Sequence, residues 1–193
     1  MGKKKRNPGH KGRQKKKQSS NSNTVSLRLT PGGDAWVLVP PRCARDRAED
    51  LEEVRLMIEA GEVDVALDEL RWLLSGCPDC LDAHLLLGQL AASGQNDVQL
   101  ARGHFGYAYQ LGLRAWRRAG EPMPVPGSQP ANRTFHEAGK SLAWCLKKLG
   151  KGEMAAEVVA TLLRLDPSDP LGAKAWHEQV HGGGLPLIGP DAD

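Results

Sequence analysis

The chain has 193 residues, 40% of them hydrophobic but only 5% aromatic, which suffices for one modest core of about 130–150 residues with tails. No run of 18 or more apolar residues occurs, so a membrane-spanning helix is not expected, and the charged start lacks the apolar segment of a secretory signal, so the expected location is cytoplasmic. The formal net charge of +3 conceals an uneven distribution of charge along the chain.

Residues 1–23 come first. Lys3, Lys4, Lys5, Arg6, Lys11, Arg13, Lys15, Lys16 and Lys17 are nine of the 26 bases, and no acid lies among them, so residues 24–193 carry 17 bases against all 23 acids. With no large apolar residue between Gly2 and Thr24, this arm cannot offset the entropy of ordering and is predicted to be a disordered basic arm. Its attraction to phosphates would be electrostatic and salt-dependent. Lacking an aromatic residue to stack on bases, it would have little sequence selectivity, which fits nucleic acid or the ribosome as a partner.

Residues 24–41 read as a β-hairpin. Val25, Leu27 and Leu29 alternate with polar residues, Thr30-Pro31-Gly32-Gly33-Asp34 supplies the turn, and Trp36 to Val39 return. Two strands alone are marginal, so the hairpin is expected to pack by Trp36 against the first helices, with Pro40-Pro41 ending it.

A helical region is predicted over residues 46–181. Leu51, Val54, Met57 and Ile58 give one amphipathic helix, and Ala66, Leu70 and Leu73 a second, closed by Pro78. Cys77-Pro78-Asp79-Cys80 is a C-x-x-C to which His84 could add a third metal ligand. No second C-x-x-C follows and Cys43 and Cys145 stand alone, so the motif reads as two reduced thiols at a turn and no metal is assigned. His84, Leu87, Gly88 and Ala91 mark the next helix, and Ala101 and Phe105 a long one reaching Arg118. Residues 119–131, with Pro122, Pro124, Pro126 and Pro130, form a Pro-rich loop, because each proline removes a donor and restrains its predecessor. A loop of this length suggests a functional insert. Gly139, Leu142, Ala143 and Leu146, then Gly150, then Ala155, Val159 and Leu162, closed by Pro167, give a further pair. A capping helix at 170–181 and a flexible tail at 182–193 complete the chain. His177-Glu178-Gln179-Val180-His181 is a literal H-E-x-x-H, but Leu187 occupies the position of a third histidine and no glutamate follows, so a charged helix end is the better reading.

These spacings match the pattern W-x2-L-G-x2-Y…A-x3-F…P, and residues 46–176 resemble the tetratricopeptide-repeat (TPR) family. The resemblance implies an all-α fold of about three degenerate helical-hairpin repeats, near 47–80, 81–118 and 132–169, beside the short hairpin and the basic arm. It also implies a non-enzymatic adaptor that binds a peptide or protein in the concave groove lined by first helices, here Lys140, Trp144 and Lys147 with Leu85 and Gln89. A tryptophan between two lysines would suit an acidic, partly apolar peptide; the equal alternative is that Trp144 is buried under the Pro-rich loop. Neither a phosphate-binding glycine loop nor a nucleophile elbow occurs, so no cofactor and no catalytic residue is assigned. The alternatives are a nucleic-acid or ribosome binder whose repeats are scaffold and, more remotely, a zinc-dependent enzyme. Sequence alone leaves the partner and the oligomeric state open.

Overall fold

The computed structural model describes residues 23–94 and 96–178, the side chains of Trp176 and His177 excepted. All nine bases of the basic arm, His181 and the tail 182–193 lie outside the described residues. The described part holds a two-stranded antiparallel sheet and eight helices. No helix among the described residues is long and apolar enough to cross a membrane.

Strand β1 (Ser26–Leu29) pairs with β2 (Trp36–Val39) in the register Ser26↔Val39 to Leu29↔Trp36. Between them Thr30 Oγ1 donates to the Asp34 carboxylate at 2.6 Å, and Gly33 takes a φ of 74°, which a side chain would oppose. Contrary to the sequence-based expectation, the hairpin does not seat on the first helices. It packs instead on the fifth and sixth, described below.

The helices are α1 (Arg42–Arg45), α2 (Ala48–Glu59), α3 (Val63–Gly76), α4 (Leu81–Ser93), α5 (Val98–Arg118), α6 (Pro130–Lys148), α7 (Gly152–Leu165) and α8 (Ala173–Glu178). Three successive pairs form, α2 with α3, α4 with α5 and α6 with α7, and the second helix of each also touches the helix that follows it. Small residues permit the approach. Ala66, Ala101 and Ala155 are fully buried, and four residues on in each helix Leu70, Phe105 and Val159 fill the core. Between helices the fit is tighter still: a Cβ at Gly88 would lie 2.5 Å from the Phe105 ring, and one at Gly112 would lie 2.2 Å from Phe135. Gly61 and Gly150 end α2 and α6 at positive φ, so that Glu62 N–H reaches back to Met57 O and Lys151 N–H to Leu146 O.

The buried apolar residues form two clusters. Ala44, Leu51, Val54, Leu70, Leu73 and one face of α4 make the smaller; the rest of α4 through α8, with Val25, Leu27 and Leu38 of the hairpin segment, make the larger. Cys43 is disulfide-bonded to Cys77, with Cα atoms 5.6 Å apart, so the bond ties α1 to the end of α3. This corrects the reading of Cys77 and Cys80 as two reduced thiols: only Cys80 and Cys145 are free, and both are buried.

The Pro-rich loop is a latch. Val125 is fully buried, its N–H donates to Leu165 O and its carbonyl accepts from His136 Nε2, while Trp36 N–H donates to Pro124 O. Gly127 N–H donates to Asp166 Oδ2 at 2.7 Å. Asn132, fully buried near the start of α6, completes the join: its Oδ1 accepts from Leu38 N–H, and its Nδ2 donates to Trp36 O and Pro126 O. The outward edge of β2 is thereby satisfied without a third strand.

Candidate functional site

A groove of about 430 Å3 opens between α5 and α7, floored by α6. From α5 come Gly103, Gly106, Gln110, Leu113 and Arg117, spaced three or four residues apart and hence on one face. Met154, Glu157, Val158 and Thr161 form the α7 wall, and Leu142 and Leu146 the apolar floor. The groove exists because its α5 wall is nearly bare: a Cβ at Gly103 would meet nothing within 4 Å, and one at Gly106 only Leu142 Cδ1 at 3.6 Å.

Charge stands at both ends of the α5 wall. Arg102 lines the groove, and its Nε is buried with no hydrogen-bond partner. Arg117 is exposed fifteen residues along the same helix, roughly 22 Å away at 1.5 Å per residue. Glu157 is the groove's one acid. Behind the wall, burial pushes the Cys145 thiol up to about 12, despite the nearby Arg102 charge, so it is inert at neutral pH. Burial also raises Cys80, and both thiols are packing residues.

The residues expected to line a first-helix groove do not form an open surface. Trp144 is 5% exposed and Leu85 6%, and both belong to the larger core cluster together with Val25, Leu27 and Leu38. Lys140 is half-buried with Nζ donating to Leu171 O, and burial lowers its pKa. Gln89 and Lys147 are half-buried. These positions belong to the core shared by the hairpin and the helices, and the groove opens instead beside Leu142 and Leu146. Gly103 and Gly106, which sequence reasoning missed, were legible only as two glycines inside a predicted long helix. Of the metal readings, Cys77 is engaged by Cys43, and among the described residues no group of three or more histidine, cysteine or acidic side chains is placed to hold an ion.

Neither a protein-family model, nor a curated protein, nor a solved structure matches this chain.

Proposed function

We propose that the chain is a non-enzymatic, TPR-like adaptor that holds an acidic, partly apolar peptide segment in the α5–α7 groove, with the basic residues 1–23 adding non-specific affinity for nucleic acid or the ribosome. The repeat reading is supported by offset. Gly61, Ala66, Leu70, Leu73 and Pro78 recur 89 residues later as Gly150, Ala155, Val159, Leu162 and Pro167, in the same places on α2–α3 and α6–α7. The intervening pair α4–α5 repeats the small-then-large step at Ala101 and Phe105.

One observation carries the binding reading: glycines 103 and 106 lie inside α5 with no neighbour that requires them. Each costs a helix interior about 1 kcal/mol relative to alanine, so their structural effect is a weakness whose only product is an open groove. An apolar floor with arginines roughly 22 Å apart suits about seven extended residues bearing carboxylates near both ends.

The test is peptide-array binding to the full chain and to Gly106→Leu, whose side chain fills the groove from a position with room for it. Acidic, apolar-centred peptides should bind the native chain and lose at least tenfold in affinity for the variant, while the thermal midpoint holds or rises. Equal binding by both would remove the groove from the function. Binding that instead disappears on deleting residues 1–23, or on nuclease treatment, would make the repeats a scaffold for the arm.

A further inference from the structure

His84 on α4 and His104 on α5 meet with Nδ1 3.2 Å from Nδ1. At this distance either a hydrogen on one ring is donated to the other ring's lone pair, or a metal ion replaces that hydrogen and is held by both nitrogens. The tautomer of His84 is decided by its other nitrogen. Nε2 lies 3.0 Å from the Pro78 carbonyl, which can only accept, so Nε2 carries the hydrogen and Nδ1 of the neutral ring presents a lone pair toward His104.

We propose that His84 and His104 form a two-imidazole site for a divalent transition-metal ion of the zinc class, both rings coordinating through Nδ1. The spacing fits without movement of either helix. Two metal–nitrogen bonds of about 2.0–2.1 Å span about 3.3–3.4 Å at a tetrahedral angle and about 2.9 Å at a right angle, and 3.2 Å lies between. The Pro78 carbonyl is the outer partner that metal-bound histidines ordinarily have, fixing the ring and raising its basicity. That carbonyl is itself held, because it follows the disulfide-bonded Cys77 in a turn closed by Cys80 N–H donating to Cys77 O at 3.1 Å. Tyr107, 39% exposed, packs against the His84 ring at a 42° tilt with centroids 4.5 Å apart. Both histidines are half-buried, so an ion can enter with water completing its coordination. Burial also lowers both imidazole pKa values, which favours the neutral rings, so an ion has only the hydrogen shared by the two Nδ1 atoms to displace. The pair shares no residue with the α5–α7 groove and does not depend on its function.

The experiment is titration of the full chain with zinc chloride at pH 7, followed by calorimetry and by 1H–15N correlation of the imidazole side chains. Zinc should displace the Nδ1 resonances of His84 and His104 together, while magnesium should not, since a hard ion prefers oxygen. His104→Gln should weaken this binding step at least tenfold with the helical circular dichroism unchanged, and a His177→Gln/His181→Gln double variant should retain it. If zinc leaves the His84 and His104 resonances in place, or binds only at His177 and His181, the proposal is overturned; the resonance readout needs no variant to fold.

Discussion

In α5, a methyl group added at Gly103 would touch nothing within 4 Å, whereas one added at Gly112 would sit 2.2 Å from a carbon of the fully buried Phe135 ring. The same substitution is therefore expected to act in opposite directions. Gly103→Ala should gain about 0.5–1 kcal/mol from helix propensity and the narrower unfolded ensemble. Gly112→Ala should lose about 1–2 kcal/mol net, because overpacking exceeds that gain. Urea unfolding of the two variants measures both; a stabilising Gly112→Ala would mean that α5 and α6 are not packed this closely. Residue by residue, sequence reasoning recognised the small-then-large steps at Ala66, Ala101 and Ala155 because a local 3.6-residue period carries them. It could not place Trp144 and Leu85, because the face of a helix that becomes buried depends on what packs on it, and the core they share draws residues from Val25 to Ala173.

At the scale of elements, the hairpin was legible in its own alternation and its Thr30–Asp34 turn, but its seat was not. The hydrogen bonds that fix it span 94 and 96 residues, from Leu38 and Trp36 to Asn132, and no local pattern encodes them. The Pro-rich loop likewise looked like a functional insert, because its prolines forbid a helix and nothing local reveals that Val125 is a core residue. The latch it forms should be acid-sensitive. Burial lowers the His136 pKa below its ordinary 6.5, against the raising effects of the Val125 carbonyl, Asp166 and Asp169, so the folded chain holds this ring neutral while the unfolded chain protonates it. The resulting stability is fully present above pH 6.5 and is lost as pH falls toward the lowered value. Burial alone would raise Asp166, but hydrogen bonds from Ser168 and Gly127 outweigh it and hold the carboxyl below 3.8, adding a second loss at more acid pH. The urea midpoint is expected to fall between pH 7 and pH 5, and His136→Gln should flatten that slope. An unchanged slope in the variant would show that His136 does not titrate on unfolding.

Across the whole molecule, the disulfide decides how the two core clusters hold together. Four cysteines admit several pairings, and C-x-x-C drew attention to Cys77 with Cys80; the partner is instead Cys43, 34 residues earlier, brought near by the return of α3 alongside α1 and α2. Closing a loop of that length restricts the unfolded chain by roughly 3–4 kcal/mol in the chain-entropy account. The smaller cluster, built from Leu51, Val54, Leu70 and Leu73 with one face of α4, has fewer buried residues than the larger and contains Cys77 of the disulfide. Reduction, or Cys43→Ser, is therefore expected to release α1–α3 before α5–α7 open. Amides of α2 and α3 should then exchange at least tenfold faster in hydrogen-exchange mass spectrometry, while those of α5 and α6 hold their protection. Alkylation in denaturant should label two cysteines before reduction and four after it, reading the bond itself. Uniform loss of protection along the chain would mean that the two clusters unfold as one unit. In that case the disulfide would stabilise the entire helical array, including the groove between α5 and α7, and peptide affinity would become redox-dependent at a distance.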